Sequence, residues 1–253
     1  MLKKSIFDYF YFGTSVRYLQ DIRAGSHVHD VEQGATVLTN INRFLQTVTA
    51  LGLQVTRRAA ADLEDVVREL SPLPKDAVLT AAQSKRIGDL MDVIRATLEA
   101  EIQGFHAYVV TPKRVDVVRL LEDVPFLLSA GTFEKLPDVA RYDLTEAAKC
   151  IAFERPTAAA FHLLRATESV LRSYYCQQVK RNRVDLMWGP IVQHLRTRRR
   201  SKVTDPLLNN LDDIRFHFRN PTQHPEKIYD IDQVQDLWGR CVDAINRMAT
   251  ELS

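Results

Sequence analysis

The stretch DPLLNNLDDIRFHFRNPTQHPEKIYDIDQVQDLWGRCVDAINRM (205–248) decides the fold of this chain. Apolar residues recur at helical spacing on both sides of one polar, proline-flanked turn. Thr204 or Asp205 suits a helix cap, and Pro206 suits the first turn, where its missing N–H costs nothing. Leu207, Leu211, Ile214 and Phe218 form one seam, and Arg215 and Arg219, four apart, share the face beside it. Pro221 disfavours helix at Asn220 and is expected to end the element there. His224 then falls in a turn before Pro225. Asp230 and Gln233 have capping-box spacing, and Val234, Leu237, Trp238, Cys241, Ile245 and Met248 follow as a near-heptad core stripe.

Upstream, ERPTAAAFHLLRATESVLRSYY (154–175) reads as a helix with Pro156 in its first turn. Its seam is read as Phe161, Leu164, Leu171 and Tyr175, with Glu168 on the buried stripe. A carboxylate there needs a cation or donor to meet it, for which Arg215 or Arg219 is the expected partner. Helical periods also cover roughly 35–51, 56–70, 80–107, 113–129 and 139–154, whereas the strand-like HAYVVT (106–111) is read as a helix end or turn before Pro112. Pro72 and Pro74 mark one break and Gly131 to Pro137 another. The expected fold is all-α, with a helical domain of unassigned role over 1–135 and a helical bundle over 136–253.

Composition narrows the chemistry. Of 253 residues only nine are glycine, and no GxxxxGK[ST] or GxGxxG occurs, which argues against a glycine-loop phosphate cradle. No cofactor is expected. No metal site is expected either, since CxxC and HExxH are absent, and His27 and His29 lie in AGSHVHD without a third ligand, as a surface loop would. Cys150, Cys176 and Cys241 are far apart and odd in number, which fits reduced thiols of a cytoplasmic protein. No run of eighteen apolar residues occurs, so no membrane partner is expected. Asp8 interrupts the apolar N-terminal stretch, which is not expected to be a signal peptide.

Net charge is only +2, but residues 180–202 carry eight basic side chains against one acid, Asp185. Lys180, Arg181, Arg183, Arg196, Arg198, Arg199, Arg200 and Lys202 are therefore candidate contacts to an RNA backbone. Arg219 and His224 can address one small volume. Arginine offers a planar fork that fits phosphate, histidine exchanges a proton near neutrality, and the Asn220 amide can orient either. These are the parts needed to cleave RNA without a metal: a base takes the 2′-OH proton, the oxygen attacks phosphorus, and a cation steadies the developing charge. The same residues could instead cap a helix and bind Glu168. His217 is expected at the surface and His162 as a satisfied core histidine.

The two stretches 154–175 and 207–234, with RNPTQH (219–224) as Arg, polar residue, spacer and His, resemble the HEPN superfamily of helical domains. The resemblance covers roughly 140–250. It implies a four-to-five-helix bundle, a homodimer through the C-terminal domain, and a composite metal-independent endoribonuclease site formed by two facing motifs. It further implies Arg219 on phosphate, Asn220 assisting and His224 as acid/base. Glu168 and Arg165 match, more loosely, polar residues that related members carry on the earlier helix, and Arg215, on the face beside the seam, is a further supporting candidate. Such domains act as effectors or toxins in antiphage defence and toxin–antitoxin pairs, so RNA and a regulatory protein are the expected partners. The alternative within the same fold is a non-catalytic module for protein assembly or nucleic-acid binding.

Overall fold

The computed structural model describes residues 5–29, 36–180, 187–198 and 203–252. Among these every regular element is helical, and the single β pairing is an isolated bridge between His27 and Val78. No described helix is long and apolar enough to cross a membrane. The chain divides into two compact units, Met1–Tyr108 and Val109–Ser253.

The first unit contains α1 (Ile6–Gln20), α2 (Val37–Leu51), α3 (Gln54–Ala59), α4 (Ala61–Leu70) and α5 (Ala81–Ile102). The sequence pattern did not single out α1, because aromatics surround its first turns; Phe12 and Leu19 nevertheless face the core, with Phe12 stacked 5.4 Å from Phe44. Helix α2 stops at Gly52, whose φ of 73° is the left-handed conformation of a helix C-cap. Helix α5 starts on a reciprocal capping box between Thr80 and Gln83, then buries Ile87, Met91, Ile94 and Leu98 at heptad-like spacing. Near its far end, the Glu101 carboxylate accepts from the Val55 and Thr56 N–H groups and the Thr56 hydroxyl. It caps α3, which has no cap of its own at Leu53. Desolvation opposes ionisation of Glu101, but these hydrogen bonds outweigh it and hold its pKa below the ordinary value.

The second unit contains α6 (Val117–Glu122), a 3₁₀ turn (Val124–Leu127), α7 (Thr132–Lys135), α8 (Asp138–Ala152), α9 (Pro156–Val179), α10 (Trp188–Thr197), α11 (Asp205–Ile214), a π-turn (Arg215–Arg219), α12 (Asn220–Thr222) and α13 (Ile231–Ala249). Helix α9 is central, packing on α8, α13 and α10, while α11 packs on α10 and α13. All six residues of the expected α13 stripe are buried. Asp230 caps α13 by accepting from Gln233 N–H at 2.7 Å, which is one half of the expected box. The buried Trp188 donates to the Leu211 carbonyl at 3.1 Å, tying α10 to α11.

Several expectations are corrected here. The unit boundary falls at 108/109 rather than 135/136. The exposed, non-helical 103–109 is the connecting segment, whereas Leu120, Val124, Leu128 and Leu136 join the C-terminal core. Two further ties hold 109–135 to α13. Arg114 forks onto Asp232 and Asp236, and the Ser129 N–H donates to Asn246. The single helix expected over 113–129 is broken at Asp123, since Pro125 opens a 3₁₀ turn. On α9 Phe161 is half exposed, and the inward face is Ala160, Leu163, Leu164, Thr167, Val170, Leu171, Tyr174 and Tyr175.

Candidate functional site

Pro221 does not end the helical path. The chain continues as a π-turn through Arg215–Arg219 and as α12 through Asn220–Thr222. The Asn220 N–H reaches back five residues to the Arg215 carbonyl, and this wider turn gives the proline ring the room an α-helix would deny it. The Thr222 and Tyr229 hydroxyls lie 2.7 Å and 3.1 Å from the Phe218 carbonyl, and their two protons are shared among these contacts and the one between the hydroxyls. Tyr229 is buried, bonds to the Thr222 hydroxyl, and donates its N–H to Thr157 on α9. Burial raises the Tyr229 pKa, partly offset by the Thr222 hydrogen bond. The turn that carries His224 is thus pinned at both ends: the His224 N–H donates to Pro221 at 2.9 Å, and Tyr229 anchors the exit.

Within this frame the candidate residues separate. Asn220 and His224 are exposed and line a shallow hollow of about 450 Å³ with Phe216, Pro221, Glu226 and Lys227. The His224 ring makes no hydrogen bond to the described residues. Arg219 instead is half-buried, with its guanidinium 3.5 Å from the Glu168 carboxylate and its Nε buried without an acceptor among the described residues. Among the described residues no hydrogen bond or ion pair joins Arg219 to His224. Glu168, at the edge of the α9 seam, meets Arg172 at 2.7 Å, a closer partner than Arg219 and one that the seam pattern did not reveal.

Arg215 does not reach Glu168. It pairs with Asp212 at 3.1 Å, lies over the Phe216 ring, and fills the space left by Gly189, where a Cβ would come within 2.9 Å of its guanidinium. Arg165 is likewise away from the RNPTQH turn. It grips the fully buried Asp143 of α8 through Nε at 2.5 Å and Nη2 at 2.7 Å, and His162 shares that carboxylate at 2.8 Å. The bonds to Asp143 raise the Arg165 pKa further. Sequence reading missed Asp143: a charged residue on the inward face of an Ala-rich helix was the one available signal.

The basic run is only partly visible. Lys180 is exposed at the left-handed cap of α9, Arg196 is engaged by Asp212 at 3.0 Å and Asn209 at 3.1 Å, and Arg198 donates to the Gln178 carbonyl. Arg181, Arg183, Arg199, Arg200 and Lys202 lie outside the described residues. Beside this run, the buried Tyr175 hydroxyl holds exposed His194 at 2.5 Å, a pairing the sequence did not announce. Among the described residues no group of three or more His, Cys, Asp or Glu could hold a metal ion.

No protein-family model, curated protein or solved structure matches this chain.

Proposed function

We propose that this protein is a metal-independent endoribonuclease of the HEPN type, acting as a conditional effector in the cytoplasm, with Arg219, Asn220 and His224 as its chemical centre. The observation that carries the reading is the open placement of His224 beside Asn220 on a pinned turn that follows an arginine whose Nε has no acceptor among the described residues. An exposed imidazole with no hydrogen bond among the described residues is available to a substrate proton. An arginine fork held only at 3.5 Å by a carboxylate can exchange that contact for a phosphate. In this reading two copies of the C-terminal unit place their RNPTQH turns about one RNA strand, and Lys180, Arg198 and their neighbours in the basic run meet its backbone. The N-terminal unit receives the trigger or a regulatory protein.

A second reading is a non-catalytic helical module for assembly or nucleic-acid binding. The contact between Arg219 and Glu168 favours it, because a guanidinium committed to an internal carboxylate is a structural tie. Comparing RNA cleavage by wild type and variants separates the two. If His224 is the acid/base, His224→Ala loses on the order of 10²–10⁴-fold in cleavage rate. Arg219→Lys, which keeps charge but not the fork, is also strongly impaired. Cleavage survives EDTA and leaves 2′,3′-cyclic phosphate ends. Undiminished cleavage by His224→Ala refutes the assignment.

A further inference from the structure

Resting on the ribonuclease reading and deepening it, we infer that Phe216 is a stacking platform for an unpaired nucleobase, so the substrate enters the site as a single strand. The starting observation is an apolar side chain in the wrong place for packing. Ile214 is buried and Phe218 half-buried, but Phe216 between them is turned outward and remains 57% exposed. It is not an isolated surface aromatic. Its ring lines the same hollow as Asn220 and His224. The Arg215 guanidinium lies 4.1 Å from the ring centroid, and the exposure that remains leaves ring surface open to a ligand.

The surroundings select the occupant. An aliphatic or aromatic protein side chain would find the ring but leave the polar groups around it unmatched. A nucleotide matches both: its base offers a π-face to Phe216, its edge meets the Asn220 amide, and its phosphate meets Lys227 at the rim, which Glu226 only partly offsets, while Arg215, already paired with Asp212, backs the ring. A base already stacked in a duplex cannot present its face to Phe216, so the platform discriminates against paired substrates.

The test uses the full chain carrying His224→Ala, with fluorescein-labelled oligouridylate, the matching oligodeoxyuridylate and a duplex RNA of equal length. Adding Phe216→Ala should weaken both single strands by about 5- to 150-fold, the effect of removing one stacking partner, and barely alter duplex binding. Phe216→Trp should retain affinity, and its emission should be quenched by the single strands. Trp188 and Trp238 are both buried, so the new indole would be the exposed reporter. Equal binding by the Phe216→Ala variant, no measurable binding of either single strand, or an emission of the Phe216→Trp variant unchanged at saturation would overturn the inference. Stacking together with RNA cleavage that His224→Ala leaves undiminished would uphold it and refute the ribonuclease reading. Cleavage by a Phe216→Ala single variant at the wild-type rate, with affinity unaltered, would do the reverse.

Discussion

Replacing Arg165 by alanine should damage the C-terminal unit more than replacing Asp143, the residue it binds. Asp143 is fully buried between α8 and α9 and accepts three hydrogen bonds, two from Arg165 and one from His162. Arg165→Ala leaves that carboxylate in the interior with one partner. An uncompensated buried charge of this kind costs about 3–5 kcal/mol. Asp143→Ala strands nothing comparable, because the Arg165 side chain is 61% exposed and returns to water. His162 is 27% exposed and can also be rehydrated. What is lost is the net contribution of charge-assisted hydrogen bonds, roughly 2 kcal/mol. The double variant should resemble Asp143→Ala alone, so adding the second substitution restores about 1–3 kcal/mol to Arg165→Ala. Urea unfolding followed by tryptophan emission is the assay, since Trp188 and Trp238 both lie in the C-terminal core and report on that unit alone. Single-variant losses of equal size, or a double variant as unstable as the two losses summed, would refute this account of the buried carboxylate.

Glu168→Ala should move stability and affinity in opposite directions. Losing the contacts to Arg172 and Arg219, partly screened by their exposure, should lower the melting temperature by about 2–8 °C. Releasing Arg219 should at the same time tighten binding to heparin or RNA, measured by salt-dependent retention; unchanged retention would mean that Arg219 does not face an anion site. Cys241 is wholly buried, and desolvation pushes its thiol pKa up to about 12 despite a hydrogen bond from Thr167. It should resist iodoacetamide at neutral pH in the folded protein and react only in denaturant, as peptide mass analysis would show. Arg114→Ala, by contrast, breaks two ion pairs whose members are all at least half exposed, and should cost less than about 1 kcal/mol in the same urea assay. A larger loss would show that the Arg114 N–H contact with Gln235, and not the ion pairs alone, depends on that side chain.

What the sequence determined by itself is what local periodicity and backbone chemistry can encode. The α13 stripe from Val234 to Met248, the Thr204–Pro206 start of α11, the break at Pro72 and Pro74 and the all-helical class follow from spacing and from the φ and N–H limits of proline. The same local rules made RNPTQH stand out as an arginine, an amide and a histidine on a turn. They misjudged Pro221, because its effect depends on the turn before it: a π-turn supplies the room that an α-helical path lacks, and its register is held by Thr222, Tyr229 and Thr157 from three separate segments. Only the tertiary structure decided which arginine meets which carboxylate. Arg165 and Arg219 sit within reach of several acids along the chain, and packing of α9 against α8 and against the Arg215–Arg219 turn assigns them to Asp143 and Glu168, whereas Arg215 meets Asp212 three residues before it, a pairing that spacing alone allows. Long flexible side chains carry no such assignment in their spacing, since the energy that selects a partner is the desolvation and geometry of a contact formed between helices.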